Sequence, residues 1–158
     1  MTAYTVYEQR RLAVEQSYEL SDSVHQLTLA GITTLMVTSS MQHRSIYLDQ
    51  ILQSSSVKEL RITRGENVTA QYGEGLSQES AIYPEERDVI KTGKMFSRVE
   101  TGRDGIEYLR VIRPVVNQTN YLGKNCLACH HVPAGSVLGS VGMKIPLEKV
   151  NNASSWFA

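Results

Sequence analysis

The stretch Ser54-Ser55-Ser56-Val57-Lys58-Glu59-Leu60-Arg61-Ile62-Thr63-Arg64 marks the point at which the hydrophobic period of the chain changes. From Val57 to Arg64 polar and apolar residues alternate, which is the pattern of a half-buried strand. The preceding segment, from Val6 to Ser54, contains no proline and one glycine, Gly31, and its apolar residues recur at steps of three and four. Helices followed by a sheet are therefore predicted.

The helical segment is too long for one compact helix, and Thr38-Ser39-Ser40 is its predicted break because serine favours helix starts over helix interiors. Two N-terminal helices that form a hairpin are expected over residues 1–55.

Residues 56–150 are expected to form the core of a single domain of the α+β class, around an antiparallel sheet of about five strands. The order of the predicted elements is a hairpin of Val57–Arg64 and Val68–Tyr72, a helix over Pro84–Lys91, a hairpin of Met95–Thr101 and Ile106–Arg113, a polar loop over Asn117–Gly135, a strand over Ser136–Ile145 and a terminal helix from Pro146 through Val150.

The charge and hydropathy of the chain bear on its partners and on its relation to a membrane. The 158 residues include 16 basic and 16 acidic side chains, so the formal charge is zero and nucleic acid is not an expected partner. The sequence has neither an apolar run of membrane-spanning length nor a signal peptide. Both ends are interpreted as cuts in a longer protein, with residues 151–158 as the start of a linker to a membrane helix.

The chemistry of the chain is concentrated in Cys126-Leu127-Ala128-Cys129-His130, which contains both of its cysteines. Covalent attachment of haem c requires two thiols that add to the two vinyl groups of the porphyrin, and an adjacent histidine that reaches the iron. The spacing therefore predicts one haem c, with thioether bonds to Cys126 and Cys129 and with His130 as the proximal iron ligand.

Three other interpretations of the two cysteines are weaker. A structural zinc site requires two further ligands, and a second cysteine pair is missing. A redox-active thiol pair normally opens a helix, whereas Pro133 and Gly135 follow this one. A chance pair of buried thiols would leave His130 unexplained. His131 is expected to be a solvated loop residue or a neighbour of a haem propionate.

The distal iron ligand is less determined by sequence. His25, Leu29, Ile32 and Met36 fall on one face of the first helix, and the small residue Ser39 follows. Met36 is the favoured candidate, with His25, His43 and Met41 as alternatives. Methionine ligation would raise the reduction potential of the iron, and an open position would allow a gas to bind.

Arginine side chains are candidates for pairing with the haem propionates, because the guanidinium fork matches a carboxylate. Arg61 and Arg113 are the principal candidates, and Arg64 and Arg110 are the other strand arginines of this kind.

The chain resembles the periplasmic haem-c sensor domains of bacterial methyl-accepting chemotaxis proteins and related sensor kinases. The resemblance extends over nearly the whole length, through GITTLMVTSSM, VKELRITRGENVTAQYGEG, VIKTGK, LRVIRPVVN, KNCLACH and AGSVLGSVGMKIPLEKV. It implies a PAS-like fold, a homodimer formed through the N-terminal helices, and a parent protein anchored in the membrane on both sides of the domain. One departure is Ser39, which stands after LMVT where glycine is expected.

The expected function is therefore that of a periplasmic domain that senses redox state or a small gas such as nitric oxide, carbon monoxide or oxygen. A monohaem electron-transfer cytochrome is the alternative, although a small carrier seldom needs a helical lead of this length. The sequence shows no distal acid–base set typical of a haem enzyme such as a peroxidase, so enzymatic activity is not expected.

Overall fold

Two helices, α1 (Ala3–Val37) and α2 (Arg44–Ser54), precede the sheet in the computed structural model, which describes residues 2–147. The elements that follow are β1 (Glu59–Arg64), α3 (Glu66–Tyr72), α4 (Pro84–Thr92), β2 (Phe96–Thr101), β3 (Glu107–Val116) and β4 (Val137–Pro146). The α+β class predicted from the sequence is confirmed. So are the helix at Pro84, the hairpin of β2 and β3, and the final strand.

The break between α1 and α2 lies at the predicted serines. The amide of Ser40 donates to the Leu35 carbonyl at 2.8 Å and the amide of Ser39 to the Met36 carbonyl at 3.3 Å, which together form a Schellman motif. Ser39 has a φ of 55°, in the left-handed region that such a motif requires at this position. The position where the family resemblance predicts glycine thus has the backbone conformation that glycine favours.

The four strands form one antiparallel sheet in the order β1-β4-β3-β2. β4, the last strand within residues 2–147, therefore lies inside the sheet, between β1 and β3. A β-bulge between Val115 and Val116 shifts the register at the end of β3, just before the loop that contains the cysteines.

Alternate residues of the sheet face two different layers. Leu60, Val141 and Met143 pack with α1 and α2 in the main apolar core. On the opposite face, Arg61 and Thr63 bind the buried carboxylate of Glu86 in α4, with Arg61 Nε 2.8 Å from Oε2. The site described below lies on the face covered by α1.

The predicted strand over Val68–Tyr72, and with it the first hairpin, is wrong, because residues Glu66–Tyr72 form the helix α3. Helix and strand cannot be distinguished by period in so short an apolar run. Gly65 and Gly73 bound the helix, and a Cβ on Gly65 would lie 2.9 Å from the Leu138 carbonyl oxygen. This close approach to β4 places α3 beside the sheet, and the described residues contain four strands rather than about five.

Two predictions fall wholly or largely outside the described residues. Pro146 is the last residue of β4, and the predicted terminal helix continues past residue 147. The predicted linker over residues 151–158 lies entirely outside.

A candidate haem-c site between α1 and the β3–β4 loop

Cys126 begins a short 3-10 turn, Cys126–Ala128, in the loop that joins β3 to β4, and Cys129 directly follows the turn. Asn125 begins the turn by accepting a hydrogen bond from the Leu127 amide at 3.1 Å. The amides of Cys129 and His130 both donate to the Cys126 carbonyl oxygen, at 3.2 and 2.9 Å. Local backbone bonds therefore hold the two cysteines and the histidine together on one tight turn, and both thiols are free.

The base of this loop is closed by the fully buried Asn117, which follows β3. Its Nδ2 donates to the carbonyl oxygens of His130 at 3.3 Å and Val132 at 2.8 Å. Its backbone amide donates to the Ser136 carbonyl at 2.8 Å, and its carbonyl accepts from Gly135 at the same distance. One side chain thus satisfies the backbone on the far side of the loop and fixes His130 relative to the sheet.

The C-terminal turn of α3 holds the loop from outside. Gln71 Nε2 donates to the Cys129 carbonyl at 2.7 Å, and the Tyr72 hydroxyl donates to the same oxygen. Gln71 Oε1 accepts from the His131 amide at 3.1 Å, and the Tyr72 ring meets the His130 ring edge-on with centroids 5.6 Å apart. His131 is exposed, as predicted, and its Nδ1 lies 3.2 Å from Gln71 Nε2. The sequence analysis missed this role of Gln71 and Tyr72 because it predicted a strand here.

Two hollows meet at Cys129 and His130. The first hollow, of about 270 Å³, lies between α1, the end of β3 and the cysteine loop, and it is lined by both Cys126 and Cys129. The second hollow, of about 360 Å³, lies between α1, β1, α3 and the start of β4. The residues that line both are Leu29, Met36, Val115, Cys129, His130 and Leu138. The two volumes are of the size at which ligand pockets begin, and their shared lining is mainly apolar.

His130 is buried, with 8 % of its surface exposed, and its Nδ1 has no hydrogen-bond partner among the described residues. Burial lowers the pKa of His130, and the neighbouring His131 lowers it further. The imidazole is therefore neutral at physiological pH, the form in which histidine binds a metal ion.

The four candidates for the distal ligand are placed differently. Met36 lines both hollows, His25 the first and Met41 the second, whereas the exposed His43 is not among the described residues that line either. Burial and the nearby Arg113 lower the pKa of His25 to about 4, against an opposing effect of Asp22. The Nδ1 of His25 is buried without a partner among residues 2–147, as in His130. Two neutral imidazoles thus line the first hollow together with the two cysteines.

The arginines predicted as propionate partners do not line either hollow, except for Arg64. Arg61 binds Glu86, and Arg113 donates to the Ser21 hydroxyl at 3.0 Å and lies 3.4 Å from Asp22. Arg64 lines the second hollow beside Arg44, which the sequence analysis missed because it stands in a helix. The role of Arg61 and Arg113 beside a propionate stays a prediction.

The residues at this site fit a covalently attached haem. Two free thiols at the required spacing, a neutral histidine with an unpartnered nitrogen and an adjoining apolar space are all present. Among residues 2–147 there is no group of three or more His, Cys, Asp or Glu side chains that could bind a metal ion. The fourfold protein ligation of a structural zinc ion therefore has no counterpart in this part of the chain.

Comparison with known proteins gives no relative: no family model matches the sequence, and neither a curated protein nor a solved structure matches it. Within the described residues, no helix is both long and apolar enough to cross a membrane.

Proposed function

We propose that this chain is a haem-c sensor domain of PAS-like architecture, in which haem is bound through Cys126 and Cys129 and the iron through His130. The observation that carries the proposal is the turn Cys126–His130, which presents two free thiols beside an apolar hollow and a neutral histidine whose Nδ1 has no hydrogen-bond partner among residues 2–147. The haem would supply a redox-active iron with an exchangeable axial position. The sheet, with its last strand inside, supports the PAS-like part of the proposal.

Covalent attachment is the first test. Expressed in a host with c-type maturation, the chain should gain the mass of one haem, and this mass should survive acid-acetone extraction. The double variant Cys126→Ala, Cys129→Ala should lose it completely. His130→Ala and His131→Ala form a matched pair, since only the first should change the absorption spectrum. A covalent haem mass that persists without the cysteines would refute the proposal.

Signal sensing is favoured over electron transfer because α1 lines both hollows. Leu29 and Met36, seven residues apart in α1, border the space beside His130. A change of ligand at the iron would therefore act on the C-terminal turns of a 35-residue helix whose N-terminal end lies far from the site. A sensor of this kind is proposed to lie in the periplasm, as part of a membrane-anchored receptor or kinase that responds to redox state or to a small gas. Hydrogen exchange along α1 should differ between the ferric, ferrous and carbon monoxide-treated protein.

The electron-transfer cytochrome remains the second candidate, and the exposure of Cys129 favours it. A haem edge bonded to an exposed cysteine would be accessible to a redox partner. If hydrogen exchange in α1 is the same in all three states while the haem exchanges electrons rapidly, the carrier function is the correct one.

Met36 is the proposed distal ligand, because it alone among the four candidates lines both hollows. A thioether binds ferrous iron better than ferric iron, so ligation by Met36 would couple reduction to the position of α1. Met36→Ala should give a high-spin ferrous spectrum and faster carbon monoxide binding with haem attachment intact. Met41→Ala and His43→Ala are the controls. An unchanged spectrum in Met36→Ala and a changed one in His25→Ala would assign the ligand to His25 instead.

A further inference from the structure

The second hollow ends in three charged side chains that the proposed haem attachment does not use. Arg44 Nε and Nη2 bind the two oxygens of Glu79 at 2.6 and 3.0 Å, and Arg64 Nε lies 3.3 Å from Glu79 Oε1. The side chains of Arg44, Glu79 and Arg64 are exposed by 13, 8 and 16 %. We call these three residues the arginine–glutamate cluster.

Glu79 is ionised in this cluster. Burial opposes its ionisation, but bonds from Arg44 and from the Leu76 amide, the latter at 2.7 Å, outweigh burial, so the pKa of Glu79 lies below its usual value. Two guanidinium groups therefore share a single carboxylate. The cluster carries one uncompensated positive charge, and the other described residues that line the second hollow include no acidic side chain.

This imbalance distinguishes the cluster from the other ion pairs among residues 2–147. Arg61 is matched by Glu86, Arg113 by Asp22, and Arg110 by two glutamates. The remaining pairs are Arg10 with Glu107, Arg11 with Glu8 and Glu15, and Arg98 with Glu85 and Glu100. A charge that is mostly removed from water is costly unless it is paired.

We infer that the arginine–glutamate cluster is a carboxylate-binding site at the charged end of the second hollow. A second carboxylate there would balance the charge, and a guanidinium presents donors in the planar arrangement that a carboxylate accepts. The rest of the hollow is mainly apolar, with Leu29, Ile32 and Ile62 in its lining. The ligand is therefore a carboxylate on an apolar body.

Two molecules have this chemistry. One is the haem itself, whose propionate would reach the cluster from the shared wall at Cys129 and His130; in this form the inference rests on the proposed function. The other is a free apolar organic acid, for which the second hollow would be a separate ligand site.

The test uses the haem-loaded and the haem-free chain side by side. Each is titrated with sodium hexanoate, and the backbone amide resonances of Arg44, Arg64 and Glu79 are followed by nuclear magnetic resonance. Hexan-1-ol is the uncharged probe of matching shape, and sodium chloride controls for ionic strength. The midpoint potential of the haem is measured in the parent, in Arg64→Met, and in Arg98→Met, which removes an exposed arginine of β2.

If a haem propionate occupies the cluster, hexanoate should shift the three amide resonances in the haem-free chain and not in the haem-loaded chain. A propionate there also predicts that Arg64→Met lowers the equilibrium constant for reduction about tenfold, or about 59 mV for one electron, since loss of a cation favours ferric iron. Arg98→Met should not change it. A free acid predicts saturable hexanoate binding in the loaded chain and an unchanged potential in Arg64→Met.

The inference is overturned if hexanoate acts no more strongly than hexan-1-ol in either form of the protein and Arg64→Met matches Arg98→Met. The titration needs no variant, so it decides the question even if Arg64→Met does not fold. If no haem is attached at all, the proposed function fails, and the titration of the haem-free chain alone tests the carboxylate site.

Discussion

Ser39 adopts a left-handed backbone conformation, as only Leu122 does among the other described non-glycine residues. Its φ of 55° lies in the left-handed region, which costs a non-glycine residue about 1–2 kcal/mol. The Schellman bonds of Ser39 and Ser40 hold it there at the end of α1. The turn places Met36 three residues before it and Met41 two residues after it, so the strain lies within the segment that lines both hollows.

Ser39→Gly should therefore stabilise the protein. Glycine removes the left-handed penalty but gains entropy in the unfolded chain, so a net increase of about 0.5–1 kcal/mol in the free energy of unfolding is expected. Urea denaturation with an unchanged slope measures it. Ser40→Gly is the control, because Ser40 has a φ of −119° and its hydroxyl donates to the Thr38 carbonyl at 3.1 Å. Equal effects of the two substitutions would contradict the explanation.

At the scale of elements, local sequence predicts some features of this chain correctly, whereas α3 depends on a contact that local sequence does not contain. The cysteine turn follows from local spacing, and the helix break follows from Thr38 to Ser40, so both could be predicted. Whether Val68–Tyr72 forms a helix or a strand depends on a contact between residues distant in the sequence, in which Gly65 packs against Leu138 at the start of β4. Nothing within the short segment itself reports that contact. Gly65 and Gly73 at its two ends were the signal that could have indicated a short helix.

The same explanation covers the functional site. His130 and the two cysteines are close together in the sequence. Arg44 and Glu79 are 35 residues apart and meet only through the tertiary packing of the chain. Arg61 and Arg113 were the natural propionate candidates because they stand in strands. In the structure, carboxylates from α4 and α1 pair with them. Which arginine lacks a carboxylate of its own is a property of the tertiary structure.

The hydrogen bonds from Gln71 and Tyr72 of α3 to the cysteine loop predict how a substitution in α3 changes the stability of that loop. Tyr72→Phe removes one of two side-chain donors to the Cys129 carbonyl, and loss of such a bond costs about 1 kcal/mol. Amide exchange at Cys129 and His130 should become faster, while exchange in the centre of β4 changes by less. Tyr7→Phe, which alters an exposed tyrosine of α1, is the matched control. Unaltered exchange in the loop would show that Gln71 holds it without Tyr72.

At the scale of the whole molecule, α1 is longer than the sheet that it covers. Arg10 pairs with Glu107, the first residue of β3, and the buried positions of the helix begin only at Ala13. Before Arg10, three apolar side chains are largely exposed: Tyr4 by 73 %, Val6 by 52 % and Tyr7 by 63 %. Apolar residues gathered at one end of a helix mark a surface that another protein can cover.

The homodimer proposed from the sequence would use this end of α1. Burying three such side chains removes enough apolar surface to change an association constant at least tenfold. The triple variant Tyr4→Ser, Val6→Ser, Tyr7→Ser should therefore dissociate at concentrations where the parent is dimeric, as measured by light scattering over a dilution series. The control is Ile46→Ser, Ile82→Ser, Leu122→Ser, which removes similarly exposed apolar side chains elsewhere. A parent that stays monomeric at every concentration, or a control that dissociates as readily as the triple variant, would rule out pairing through this end of α1 and leave the site beside His130 as a property of the single chain.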